Sequence, residues 1–477
     1  MNGVRTMEKQ LFFDDMKLLV RDRTKRDYVK PELVASYNDG ISSTDYSGIF
    51  VSRLPDGRYR MIYAGKSVDG SYRHLKMFSA ISENGVDFLP EKLWDNPEEH
   101  GVTYCHEVMD IGNAEIGFIY EDEHCDESER YKMLIFDAIF EEFDFHNDIY
   151  TSPDLIHWTK LEGVSWADEA EPLVSVFYNK HKGCYTFMER PYWGVRRLGY
   201  KETADWKNFT PWKNVLNIDA EDSPLTELYG MYAFEYDGKY IGIMNLYKNH
   251  ASQRNAKYHD GVIETQLAIS YDGECWNRSL RKSFIGNETV TVNGKPFDIK
   301  LIWLFSHQRL DNGDILLYGC ASCLEHGPAF RNPGNATILV FRLRKDGFIS
   351  LVTERNDEAS VVATREKIWN GGALSVNIRA EEATAAIFIA DDENTLAYTK
   401  PVEGMGHGDC IPFSGDSTEW IPEFKSGRSL DELCKKTIVI EIKYKNGELF
   451  SISGDFTDCY NTQAARYRKY GRMPDVQ

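Results

Sequence analysis

Glu227-Leu228-Tyr229, Met231-Tyr232-Ala233-Phe234-Glu235-Tyr236, Asp237-Gly238, Lys239-Tyr240-Ile241-Gly242-Ile243-Met244-Asn245-Leu246-Tyr247: this stretch decides the fold. After a polar excursion it continues as Glu264-Thr265-Gln266-Leu267-Ala268-Ile269-Ser270 and closes with Tyr271-Asp272-Gly273-Glu274-Cys275-Trp276. Gly and Asp tolerate the positive φ of tight turns, so aromatic and β-branched runs joined by Asp-Gly read as antiparallel hairpins. The closing Ser-x-Asp-Gly-x-x-Trp is a turn whose Trp returns onto its own sheet. The stretch is one complete four-stranded unit.

Outward from it, the unit recurs. Asp56-Gly57 to Ile81-Ser82-Glu83-Asn84-Gly85-Val86-Asp87-Phe88 makes a first copy, and Ser152-Pro153-Asp154-Leu155-Ile156-His157-Trp158 ends a second. Gly183-Cys184-Tyr185 to Ala204-Asp205-Trp206-Lys207-Asn208-Phe209 makes a third. Ile315 to Cys320, Ile338 to Leu343 and Asp346-Gly347-Phe348 make a fifth. Repeats of roughly 50 to 75 residues with four strands each match a propeller, whose blades take about 40 to 50 residues plus loops. An all-β chain is therefore expected: a five-bladed propeller over residues 1–345, opened by a strand and a lead-in loop, then a β-sandwich with a tail over 346–477. The sandwich rests on the short alternating runs Ala373–Ile378, Ala385–Ile389, Thr437–Ile442 and Leu449–Ile452. Helical periodicity is nearly absent; Leu430–Cys434 reads as a single turn of helix.

At 477 residues the chain exceeds one ordinary core, which agrees with two domains. No apolar run reaches the roughly 18 residues of a membrane span, and Met1–Gln10 holds no apolar signal region, so a cytoplasmic location is expected. Nine scattered cysteines form no disulfide framework, and Cys320-x-x-Cys323 lacks the second pair of a zinc site. A net charge of −20 excludes nucleic acid and anionic membrane surfaces as partners. The acidic run Glu121–Glu127 reads as a solvated loop, since its order fits no calcium site. His106, His307 and His326 fall in expected inter-strand loops without metal-ligand spacing, so no metal or cofactor is expected.

Propeller chemistry sits where innermost strands begin, because these strands line the central channel. Carboxylates at those positions are Asp45 for blade one, Glu107 and Asp110 for blade two, Glu171 for blade three, and Asp222 and Glu227 for blade four. Three acids converging on one funnel suit glycosidic cleavage: one attacks the anomeric carbon, one protonates the leaving oxygen, and one holds sugar hydroxyls.

The chain resembles the glycoside hydrolase family 32 and 43 group, five-bladed propellers acting on furanosides, and especially family 32, which appends a β-sandwich. Asp45-Tyr46-Ser47-Gly48 is similar to the family 32 Asp-Pro-Asn-Gly motif, Glu171-Pro172 to its Arg-Asp-Pro motif, and Glu227-Leu228 to its Glu-Cys motif. The resemblance implies that Asp45 is the nucleophile, Glu171 the transition-state stabiliser and Glu227 the general acid/base. It implies a retaining hydrolase of β-fructofuranosides or a related furanoside. Asp39 stands as an alternative to Asp45, and Asp219 or Asp222 to Glu227. Arg190, Trp193, Asp110 and Asp222 are candidate substrate contacts, with Trp166 and Trp303 as possible stacking platforms. An inverting or phosphorolytic enzyme on a related propeller, with Arg196-Arg197 as its basic cluster, and a non-catalytic carbohydrate-binding protein are the alternatives.

Overall fold

The computed structural model describes residues 7–41, 46–66, 74–112, 114–139, 144–164, 170–191, 196–250, 260–329, 334–355, 357–390 and 400–458, with backbone only at 46, 66, 137–139, 144–146 and 170–174. The chain divides into two compact units: Lys30–Arg344, and the described residues up to Val29 together with those from Lys345 onward.

The first unit is a five-bladed propeller. From the channel outward, blade two is Glu115–Glu121, Tyr131–Ile139, Asp144–Ser152 and Thr159–Lys160. Blade three is Ala170–Asn179, Cys184–Pro191, Leu198–Thr203 and Lys213–Leu216. Blade four is the stretch quoted above, with strands Thr226–Tyr236, Lys239–Asn249, Gly261–Ser270 and Trp276–Asn277. Blade one begins at Tyr46–Arg53, and its third strand Leu75–Ser82 pairs outward with both Leu89–Pro90 and Glu107–Gly112. Blade five takes Leu301–Arg309, Ile315–Ser322 and Ala336–Leu343 from the end of the propeller and Glu32–Tyr37 from its start. Tyr37 lies opposite Ile338, and this pairing closes the ring.

The recurring turn has one construction in blades one to four. A Ser or Thr hydroxyl donates to an Asn or Asp two residues on, and that side-chain oxygen accepts the next two free backbone N–H groups. In blade four Asp272 Oδ1 accepts from Ser270 Oγ at 2.9 Å and from the N–H groups of Glu274 and Cys275 at 2.8 Å. Asp154, Asp205 and Asn84 repeat the arrangement. The residue after the acceptor is left-handed each time: Gly85 (φ 73°), Leu155 (70°), Trp206 (61°) and Gly273 (77°). This position points at the preceding blade. A Cβ on Gly273 would meet Asn179 Nδ2 at 2.8 Å in blade three, and one on Gly85 would meet the Tyr318 hydroxyl at 3.1 Å in blade five. Leu155 and Trp206 occupy the equivalent space with apolar bulk, joining the clusters that seal blade one to two and blade two to three. Contact across the seam outweighs the local cost of a non-glycine there, about 1–2 kcal/mol.

The second unit is a β-sandwich built from one nine-stranded sheet. Its 23-residue strand Lys367–Ile389 runs through both layers. The first half lies opposite Glu448–Asp458, from Lys367–Asp458 to Arg379–Glu448; the second lies opposite Thr437–Lys445, from Glu382–Lys445 to Ile389–Ile438. Leu430–Leu433 is a 3-10 turn capped by Ser429 and Glu432.

Two expectations are corrected here. The N-terminal strands do not lead into the propeller: Glu8–Leu11, Leu18–Asp22 and Thr24–Asp27 pair with Glu448–Asp458, Ser360–Thr364 and Ser350–Thr353 of the sandwich. The propeller therefore begins after Val29 rather than at residue 1. The acidic run is not wholly solvated either. Asp122 is buried, accepting from the Tyr185 hydroxyl at 2.8 and 2.9 Å and from Trp206 Nε1 at 3.1 Å.

Candidate functional site

Every innermost strand breaks register near its start: between Ser47 and Phe50, Ile116 and Phe118, Glu171 and Ser175, Leu228 and Gly230, and Leu304 and Ser306. A β-bulge re-aims the side chains that precede it. Five bulges at one level thus divide the channel into a region at the strand starts and a region at the strand ends.

Glu227 belongs to the strand-start region, and its neighbours come from blades three and four. Arg196 Nη1 donates to Glu227 Oε2 at 2.5 Å, and Asn249 Nδ2 donates to the same oxygen at 3.2 Å. Glu227 lies opposite Tyr247 in the hairpin, two residues before Asn249, so the local register delivers both groups. Arg190 is buried, with its guanidinium 4.0 Å from the centre of the Tyr229 ring and Nη1 donating to Tyr229 O at 2.7 Å. Burial brings Arg190 down to about 10, which still leaves it a cation at neutral pH. Arg196 lies over Tyr229 and Tyr247 at 5.5 and 5.3 Å. The Tyr229 hydroxyl and His326 Nε2 are 2.7 Å apart, and Trp303 stands 6.3 Å from the Tyr229 ring.

A second acid is set into the same aromatic cluster from the blade-five side. Asp39 Oδ2 accepts from the Tyr63 hydroxyl at 3.0 Å, and Tyr63 is 3.2 Å from the Tyr37 hydroxyl. His106 stacks on Phe78 at 5.1 Å, and burial pushes its pKa down against the opposing pull of Asp39 and Glu107. Four buried polar atoms in these two groups have no hydrogen-bond partner among the described residues: Trp303 Nε1, His106 Nε2, Arg196 Nε and Asn249 Oδ1. Buried polar atoms are normally satisfied, so these four are open to hydrogen bonds from water or a ligand.

The remaining sequence candidates separate. Asp45, Trp193 and Trp166 lie outside the described residues, and Glu171 is described in backbone only, opposite Arg190. Asp110 does not head blade two; its strand is paired with the outer part of blade one, where it bonds His74 at 2.7 Å. Glu107 is buried there, holding Lys76 at 2.8 Å and the Thr103 N–H at 2.8 Å. Asp222 clamps a loop: Arg278 donates to both its oxygens at 2.7 and 2.5 Å. Burial alone would raise the Asp222 pKa, but the hydrogen bonds from Arg278 and the Asp219 backbone lower it overall. His307 lies within the blade-five inner strand rather than in a loop. Sequence reasoning passed over Asn249, Tyr247 and Tyr229, whose only signal was alternation on the strands flanking Glu227.

A cavity of about 390 Å³ occupies the channel on the other side of the bulges. All five inner strands line it, and neither Glu227 nor its partners border it. Among the described residues no group of three or more His, Cys, Asp or Glu is placed to hold a metal ion, and no helix is long and apolar enough to cross a membrane.

No protein-family model matches the sequence, and no curated protein matches it. Among solved structures, the chain is similar to a thermostable family-43 glycoside hydrolase, at 11% identity over 66% of this chain and 95% of that one, with a TM-score of 0.41. It is similar to an N-acetylgalactosamine deacetylase from F. plautii in complex with blood group B trisaccharide, at 12% identity over 68% and 96%, TM-score 0.41. It is also similar to a β-1,2-mannobiose phosphorylase from Listeria innocua in complex with β-1,2-mannobiose, at 11% identity over 65% and 92%, TM-score 0.41.

Proposed function

We propose that the chain is a glycosidase working at the strand-start end of the propeller, and that it cleaves a furanoside, β-fructofuranosides first, with retention. The observation that carries this reading is the setting of Glu227: a carboxylate at the start of an inner strand, among Tyr229, Tyr247 and Trp303, with unpartnered polar atoms beside it. Aromatic faces suit the apolar side of a sugar ring, and the polar atoms suit its hydroxyls. In this reading Asp45 attacks the anomeric carbon, Glu227 protonates the leaving oxygen and later activates water, and Glu171 holds the ring hydroxyls. Arg196 is then a positioning residue that orients the Glu227 carboxylate. Arg190 and Trp193 are proposed to contact the substrate, whereas Asp110 and Asp222 are tied up by His74 and Arg278.

One observation favours a second reading. Arg190 and Arg196 share the Tyr229 ring, which concentrates two guanidinium cations beside Glu227. Such a pair suits a phosphate, and phosphorolysis would replace water by that anion.

A single assay separates the readings. The protein is incubated with fructo-oligosaccharides and aryl furanosides, with and without inorganic phosphate, and the released sugars are identified. Free sugar formed without phosphate, and lost in Asp45→Asn, supports hydrolysis. Sugar phosphate formed only with phosphate supports the second reading. Turnover in neither condition, with sugar binding retained, points to a carbohydrate-binding protein and sinks both.

A further inference from the structure

The cavity beyond the bulges takes no part in the chemistry proposed above, yet its lining is that of a binding site. Aromatic pairs stand in two places. The His124 ring lies 3.8 Å from Tyr178, and His307 stacks on Phe234 at 3.9 Å with 26° between the planes. Tyr232 joins the second pair, its ring 5.4 Å from Phe234.

The Tyr232 hydroxyl lies 2.8 Å from His307 Nδ1, so that ring nitrogen is already engaged. Nε2 is the nitrogen of this cavity-lining ring left to hydrogen-bond a ligand hydroxyl, which can either donate or accept.

Four charged side chains of the lining are paired: Arg130 Nε donates to Glu121 at 2.8 Å, Lys180 bonds Glu235 at 3.2 Å, and Arg309 bonds Asp237 at 3.2 Å. Glu123, exposed at the rim, is the remaining carboxylate of the lining, and the paired groups gather no excess of one sign for an ionic ligand. A volume of about 390 Å³ falls at the small end of ligand pockets, which run from roughly 300 to 1,000 Å³.

We propose that this cavity is a second carbohydrate site, taking one neutral sugar ring of monosaccharide size by stacking on the Tyr178–His124 and Phe234–His307 pairs and by a hydrogen bond between a sugar hydroxyl and His307 Nε2. The site is separate from Glu227 and independent of the reaction assigned to the strand-start end.

The test titrates the full chain with fructose, arabinose, galactose and glucose, followed by saturation-transfer NMR and calorimetry. At least one sugar is expected to bind. His307→Phe keeps the stacked ring and removes the ring nitrogen, and His124→Ala removes an exposed stacking ring without touching the core. Each should weaken binding by about tenfold, the worth of one hydrogen bond or one stacked ring. Glu227→Gln should leave that binding unchanged. Absence of signal from all of the sugars overturns the proposal. So does binding that disappears in Glu227→Gln while surviving in both cavity variants, because the sugar would then sit at the other end of the channel.

Discussion

Replacing Leu155 tests why a left-handed turn position carries a large apolar side chain. Leu155 has φ of 70° and is fully buried in the apolar cluster shared by blades one and two. Its turn is also tied to blade one by Arg60, which donates to the Asp154 carbonyl at 3.0 Å. Truncation to Ala leaves a cavity at that seam and should cost about 2–5 kcal/mol. Going on to Gly would ordinarily cost a further ~0.5–1 kcal/mol of backbone entropy. Here the order should reverse, because any L-residue at this φ pays about 1–2 kcal/mol that Gly does not. Leu155→Gly should thus be more stable than Leu155→Ala by roughly 0.5–1 kcal/mol. Urea unfolding followed by Trp fluorescence gives both midpoints against wild type. An Ala variant equal to or better than the Gly variant refutes the strain argument. Either variant within about 1 kcal/mol of wild type refutes the seam argument. Trp206, at φ 61° and 4% exposed, should show the same inverted order.

Chelation should leave turnover intact, and loss in EDTA with recovery on added calcium or zinc would reveal a ligand set. If Asp45 and Glu227 act as proposed, a structure with bound substrate should place their carboxyl groups about 5–5.5 Å apart, whereas about 6.5–9.5 Å would mean inversion. Asp45→Asn should abolish turnover, while Glu227→Gln should spare aryl substrates whose leaving group needs no proton. Arg196→Met should lower kcat with little change in KM if Arg196 only orients Glu227, and an equal rise in KM would make it a substrate contact. Burial lowers His307 to about 4 from its ordinary 6.5, so the unfolded chain binds the extra proton between those values. Stability from this group is complete above pH 6.5 and falls as pH drops to about 4, by at most ~1.4 kcal/mol per pH unit. His307→Phe should flatten that slope in urea titrations across the window.

The propeller was legible in the sequence because its blades are local. Ser270 to Trp276 and Ser152 to Trp158 each satisfy their own backbone within seven residues, so chain order alone carries the pattern. The place of Glu227 at the start of an inner strand was legible for the same reason, since the hairpin partner of that strand follows within the same unit. Closure of the ring was not. Tyr37 pairs with Ile338, and Lys9 meets Asp346 at 2.8 Å in the sandwich, separations of some 300 residues that leave no periodicity to read. Strands 8–27 therefore looked like a lead-in to whatever came next. The same limit governed the acids. Asp222 and Glu227 are equivalent by spacing, but Arg278 reaches Asp222 from 56 residues away and holds it in a loop clamp. Arg196 crosses from blade three to meet Glu227. Alternation tells which face a side chain takes, since it depends only on the pleat; which partner waits there depends on the packing of blades, and that was decided in three dimensions.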